Sequence, residues 1–319
     1  MTTPGRARGR LDMLLGRRPA SIPTFDLAAL TQYDGFALHV RRGMGDRPGD
    51  RRFPGRRDTT GVEIEAYVPY TPGDDLRHLD WNAVGRLDAL LVRRFTAERA
   101  VCVDLLVDAS ASMTVPPRDD KPGAARELVL ALAFVALGTN DAVRVTLLAD
   151  DATALVSPVQ RHRASIARVA ALLATTPTGG ALALGEALVT HARRHPRPGA
   201  AIIVSDLMTE PAELERGVQA LRTRYYDVTL LHVLGRSEVD PGRTSGHAVL
   251  EDVESHAQHP IRLTAEAIAR YKIALAAHLA MLATIAVRNG AAYARLITDE
   301  GVGGFVTREL PRLGILRRR

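Results

Sequence analysis

Lysine is nearly missing from this chain: of 42 basic residues only Lys121 and Lys272 are lysines. With the abundant alanine, the arginine bias reads as genome composition as much as selection for phosphate contacts. Cysteine is scarcer still. Cys102 stands alone, which excludes an internal disulfide framework and a cysteine-based zinc cluster. Inside an apolar run it reads as a small core residue rather than a nucleophile. Aromatics make up 4% of the residues, too few for a platform that stacks single-stranded bases. Nucleic acid is therefore not an expected partner. No stretch approaches the roughly 18 uninterrupted apolar residues of a membrane helix, so no membrane span is expected. The start carries Arg6, Arg8 and Arg10 without the compact apolar core of a secretory signal, and the expected location is cytoplasmic.

What is present begins with length and apolar content. At 319 residues and 46% apolar, the chain can bury one core of about 200 residues plus a smaller unit. Its net charge of +6 is concentrated at the start, where residues 1–60 hold twelve Arg against six Asp. That region reads as a basic leader (1–20) and an Arg/Gly/Asp/Pro loop (41–60), with a short amphipathic element over Leu27–Val40 between them. Residues 61–99 form a β-containing segment: Val62, Ile64, Ala66 and Val68 alternate with Glu63, Glu65 and Tyr67, and Ala89–Phe95 suggests a second strand.

From residue 100 to 300 short apolar runs alternate with helical stretches. The expected strands are Val101–Val107, Val143–Leu148, Ala200–Ser205, Val228–Val233 and Ala292–Ile297. The expected helices are Ala124–Leu137, Ser165–Ala174, Leu182–Arg193, Ala212–Arg224 and Thr264–Val287. This alternation implies βαβ units: an α/β fold with a mainly parallel sheet and helices on both faces. Residues 301–319 read as a C-terminal tail. Ligands of such sheets sit beyond the carboxyl ends of the strands, where Asp108 and Asp206 both fall.

The first of these opens Asp108-Ala109-Ser110-Ala111-Ser112. One carboxylate and two hydroxyls at alternate positions suit a hard cation such as Mg²⁺, which takes oxygen ligands and keeps several waters. A helix cap would account for Asp206 alone. It accounts less well for the first loop, where Met113-Thr114-Val115-Pro116-Pro117 delays the next helix and two further hydroxyls have no capping use. No Gly-Lys-Ser/Thr follows the glycine pairs and no serine sits in a Gly-x-Ser-x-Gly elbow. His256 and His259 read as a polar loop.

An Asp-x-Ser-x-Ser loop, then Gly179-Gly180, then a strand ending in Asp resembles the von Willebrand factor A domain. The resemblance implies a metal-ion-dependent adhesion site with Mg²⁺ held by Asp108, Ser110, Ser112 and Asp206. The threonine of the second loop does not map directly. Aligning Gly185-Glu186-Ala187-Leu188 puts Leu182 there, and the nearest hydroxyls are Thr176 and Thr178. Either a shifted loop brings Thr178 in or the site lacks one ligand. A second block, Pro72-Gly73-Asp74-Asp75-Leu76-Arg77-His78-Leu79-Asp80-Trp81, precedes Leu91–Glu98. As chemistry it is a turn with ion pairs from Arg77 to Asp74 or Asp80, and the lone Trp81 offers apolar area to fix it against a neighbour. With Leu250-Glu251-Asp252-Val253-Glu254 and the Tyr271 helix, these blocks are similar to bacterial domain-of-unknown-function family 58, a von Willebrand A-like group. That resemblance implies a non-enzymatic accessory partner of a MoxR-type AAA+ ATPase, acting in chaperone-like maturation of a client protein or in metal insertion. A metal-dependent hydrolase and a scaffold with a decayed metal site are the alternatives.

Overall fold

A computed structural model describes residues 26–40, 62–72, 76, 79–87, 89–97, 101–149, 155–175, 179–196, 199–241, 246–251 and 258–319. In chain order the strands are β1 (Phe36–Leu38), β2 (Val62–Pro69), β3 (Leu91–Ala97), β4 (Cys102–Asp108), β5 (Ala142–Leu148), β6 (Leu155–Val156), β7 (Ala200–Ser205), β8 (Asp227–Leu234), β9 (Gly246–Glu251), β10 (Gln258–Leu263), β11 (Ala292–Ile297) and β12 (Leu316–Arg318). The helices used below are α1 (Trp81–Leu87), α2 (Lys121–Gly138), α3 (Ile166–Thr175), α4 (Leu184–Arg194), α5 (Pro211–Thr223), the four-residue α6 (Arg236–Val239) and α7 (Ala265–Arg288). The chain divides into two units, Met1–Gly45 with Val101–Arg319, and Asp46–Ala100.

The larger unit is built on a six-stranded sheet in the order β11-β8-β7-β4-β5-β6. All neighbours are parallel except the two-residue edge strand β6. Counted within the sheet this is the doubly wound order 3-2-1-4-5-6, reversing direction between β4 and β7. The central strands are apolar on both faces because helices cover both. Val103, Leu105 and Val107 join one core with α2 and α3, whereas Leu106 points into the other with α4 and α5. Ile202 and Val204 against Ala201 and Ile203 repeat the split on β7, as the two-residue period requires. Helix α2 is buried on every side from Leu128 to Leu137, the pattern of a helix enclosed by protein all round.

Two expectations about the ends of this unit are corrected. Residues 301–319 are not a tail: Val302, Phe305, Val306, Leu310, Ile315 and Leu316 all enter the α2 core, and β12 pairs antiparallel with β1. The helical spacing from Val302 to Leu310 is masked in sequence by Gly301, Gly303, Gly304 and Pro311. Likewise Leu30, Tyr33, Phe36 and Leu38, placed between leader and loop, belong to that core. The hairpin β9–β10, pairing Gly246 with Leu263, was also not anticipated. Among the described residues, one helix, α7, is long and apolar enough to cross a membrane. A search for uninterrupted apolar runs passes over it because Arg270, Lys272 and His278 interrupt the sequence.

In the smaller unit β2 and β3 pair antiparallel, with an irregularity between Ile64 and Ala66. Asp80 starts α1, its Oδ1 accepting from the Asn82 and Ala83 amides at 2.9 and 3.3 Å. Trp81 does not anchor the block by burial: it is 69% exposed. Asp74 and Arg77 lie outside the described residues.

Candidate functional site

The first loop leaves β4 at the reversal point of the sheet, and backbone bonds fix its course. The Ala109 amide donates to the Leu148 carbonyl, and Gly179 and Ala111 close a two-way clasp, Gly179 N to Ala109 O and Ala111 N to Gly180 O, each at 2.8 Å. Gly180 adopts φ +78°, a left-handed conformation that glycine takes without strain. The second loop is therefore laid against the first. Thr178, the residue before Gly179, lies outside the described residues, as does Thr176. Leu182 is a packing residue, set against the core of Leu106, Leu188 and Ile203.

Within the first loop, Asp108 is buried and its Oδ1 accepts from the Ser110 amide at 2.8 Å. The hydroxyls of Ser110 and Ser112 share a hydrogen bond at 2.9 Å. Ser205, the last residue of β7, donates from Oγ to Asp108 Oδ2 at 2.6 Å and accepts from the Leu207 amide at 2.9 Å. This one hydroxyl joins the first loop to the third and holds Leu207 at φ +51°. Burial pushes the Asp108 carboxyl above the usual carboxylate range and the charge of Asp206 adds to that, while hydrogen bonds from Ser110 and Ser205 oppose it.

Asp206, also buried, has a different set of partners. Its Oδ1 accepts from the Met208 amide at 3.2 Å, and its Oδ2 meets the ammonium of Lys121 at 3.1 Å. Lys121 is 1% exposed and also reaches Glu238 Oε1 at 2.7 Å; the other Glu238 oxygen accepts from the Gly235 amide at 2.6 Å. Helix α6, which carries Glu238, is tied in turn to α7: Tyr271 donates to the Glu238 carbonyl at 2.8 Å and Lys272 pairs with Asp240 at 2.9 Å. Both lysines of the chain thus serve this corner of the site.

The structure brings together Asp108, Ser110, Ser112 and Asp206 as a constellation of loops. It adds three residues that motif reading passed over: Ser205, Lys121 and Glu238. Ser205 stands directly before the expected Asp206, and Glu238 follows an apolar strand as Asp108 and Asp206 do. Lysine scarcity was the signal for Lys121. The donor set of the first loop fits a hard cation. Two oxygens 2.9 Å apart match adjacent corners of an octahedron with metal–oxygen bonds of about 2.1 Å, and Asp108 brings buried negative charge. Asp206 already has an internal cation on one oxygen and an amide on the other.

The sheet order and the loops at its reversal point define a doubly wound α/β protein with a mainly parallel sheet. Within that class the chain belongs to the family described as "Protein of unknown function DUF58", whose model matches residues 66–281. The uncharacterized proteins Rv1480 of Mycobacterium tuberculosis and Mb1516 of Mycobacterium bovis are each 27% identical over 304 residues, covering 93% of this chain and 89% of theirs. Similar solved structures include the conserved hypothetical protein BatB from Bacteroides thetaiotaomicron, at 17% identity and TM-score 0.41, covering 67% of this chain and 98% of that one. Others are an aerotolerance-related membrane protein from Bacteroides fragilis (17%, TM-score 0.40, covering 66% and 99%) and the SpRpn10 VWA domain (10%, TM-score 0.37, covering 66% and 96%).

Proposed function

We propose that this protein is a non-enzymatic interaction module whose recognition face is the edge formed by the loops after β4, β7 and β8. The observation that carries the reading is the convergence on one spot of Asp108, Ser110, Ser112 and Ser205, joined by short hydrogen bonds. In this reading Mg²⁺ is held through Asp108, Ser110 and Ser112 and keeps a position open for a partner's carboxylate; Thr178 and Asp206 complete the set that the resemblance implies, and Asp206 is already paired with Lys121. A hydrolase would instead need a base beside the ion, and each described carboxylate at this edge already has hydrogen-bond partners. The partner is a MoxR-type AAA+ ATPase and the work is chaperone-like maturation of a client; family membership is what supports this. An ATP-consuming partner sets the module at the cytoplasmic side, whether or not α7 meets a lipid surface.

The experiment is binding of the cognate ATPase to the full chain in Mg²⁺ and in EDTA, with Asp108→Ala alongside. Binding weakened about tenfold or more by chelation and by the substitution is expected, from loss of a charge-assisted contact. Equal affinity in all three conditions would remove the ion from the interface.

A further inference from the structure

The chain's use of lysine is itself informative. Arginine supplies all but two of 42 basic residues, yet position 121 is lysine and its side chain is almost wholly buried. A compact ammonium can sit between two carboxylates in a space that a planar guanidinium fork would overfill. The entry to α2 is built to aim it inward. Asp120 takes a left-handed φ of +43° and its side chain accepts from the Gly123 amide at 3.1 Å. Lys121 follows directly, so its side chain enters the core at the reversal point of the sheet rather than running out over the surface.

There the ammonium meets one oxygen each of Asp206 and Glu238, while the second oxygen of each carboxylate is held by a backbone amide. Asp206 is the residue whose charge a divalent ion at the first loop would otherwise draw on. A fixed positive charge already bound to it weakens that pull and repels the incoming cation, and both effects are magnified away from water.

Resting on the reading of this edge as the recognition site, we propose that Lys121 is a resident cation that balances Asp206 in place of a divalent ion. The third loop is thereby held in its native course by the protein's own ammonium, and any divalent ion is held by the first loop alone and loosely. Lys121 is a positioning residue in this scheme and touches no ligand. It sets how strongly the site needs metal.

The test uses full-length protein and Mn²⁺ as the probe ion, with free Mn²⁺ followed by electron paramagnetic resonance and melting followed in parallel. The variants are Lys121→Met, the double variant Lys121→Met with Glu238→Gln, and each combined with Asp108→Ala. The double variant leaves a single unpaired carboxylate for the ion to balance and keeps the fold less burdened. Wild type is expected to bind weakly. Both Lys121→Met proteins should bind Mn²⁺ about tenfold or more tightly, with melting temperatures that now rise with Mn²⁺, and Asp108→Ala should erase the gain. If neither variant folds in EDTA, recovery of folded protein on adding Mn²⁺ reports the same replacement, and failure to recover overturns it. The proposal is also overturned if the variants bind no more tightly than wild type. Equal binding in wild type and variants would leave the metal reading of the edge intact, whereas binding by none would remove that as well. A purely structural role for Lys121 would lower stability without raising metal affinity.

Discussion

Replacing Asp104 with asparagine tests how helix α4, and with it the second loop, is held on the sheet. Asp104 is 1% exposed in the middle of β4. Its Oδ2 lies 3.0 Å from His191 Nε2 on α4 and accepts from the Tyr226 hydroxyl at 3.0 Å, while its Oδ1 faces the Arg144 guanidinium at 3.5 Å. Burial alone would push this carboxyl up. The hydrogen bond and charge of His191, the Arg144 guanidinium and the Tyr226 hydroxyl outweigh it and hold the group below the usual carboxylate range. Asparagine keeps the shape and removes the charge, leaving Arg144 Nη1, which makes no hydrogen bond, without its counter-charge. Breaking a buried pair on one side costs about 3–5 kcal/mol, and retained shape puts Asp104→Asn near the lower end, at about 3 kcal/mol. For a unit of this size that is a fall in melting temperature of about 6–12 °C. The sign with pH follows from the depressed folded value. The carboxylate's contribution is complete above the unfolded pKa of about 3.9 and is lost as pH falls through the folded one. Urea melts of wild type and variant should therefore differ widely at pH 7, and the gap should narrow as pH falls below about 3.9. A gap under about 1 kcal/mol at pH 7, or one that stays constant to pH 3, would refute the account.

Further outcomes follow from single contacts. Tyr226→Phe removes bonds to Asp104 and to the His195 carbonyl at 2.7 Å and should cost about 1–3 kcal/mol in denaturant melts. Leu182→Thr, which places a hydroxyl at the aligned position of the second loop, should lower stability by about 1–2 kcal/mol without strengthening Mn²⁺ binding, since Leu182 packs against the core; a gain in binding would make that position a ligand. Gly185→Ala would put a methyl 2.3 Å from the Glu213 carbonyl and should cost about 1–3 kcal/mol, read as a lower melting temperature. Trp81→Ala should leave the melting temperature within about 2 °C of wild type, because the ring is mostly exposed.

Much of the sheet is legible in the chain because its strands are buried on both faces and read as plain apolar runs. Ala200–Ser205 and Ala292–Ile297 are recovered to the residue, and the five main helices to within a turn. What escapes has a local reason. Three-residue strands such as β1 and β12 are too short for a two-residue period to register. The segment after Gly301 hides apolar helical spacing behind residues that usually break helices. At the site, Asp108, Ser110 and Ser112 announce themselves by spacing along one loop. Lys121, Ser205 and Glu238 come from three other elements, and only the topology of the sheet makes them neighbours.

Glycine contacts between α4 and α5 bear on how the site is held together. Gly185 lies against the Glu213 carbonyl, and Gly217 against Leu188 and the Gly185 carbonyl, with no room for a side chain at either. Helix α4 carries away the second loop and α5 the third. The two loops thus share one rigid jaw on one face of the sheet, and the first loop belongs to the other jaw, backed by α2 on the opposite face. The boundary between these two halves is crossed by the Gly179–Ala109 and Ala111–Gly180 clasp, by Ser205 on Asp108 and by Lys121 on Asp206. One of these latches is backbone, one a hydroxyl on a carboxylate and one an ion pair, so only the backbone clasp contains no ionisable group.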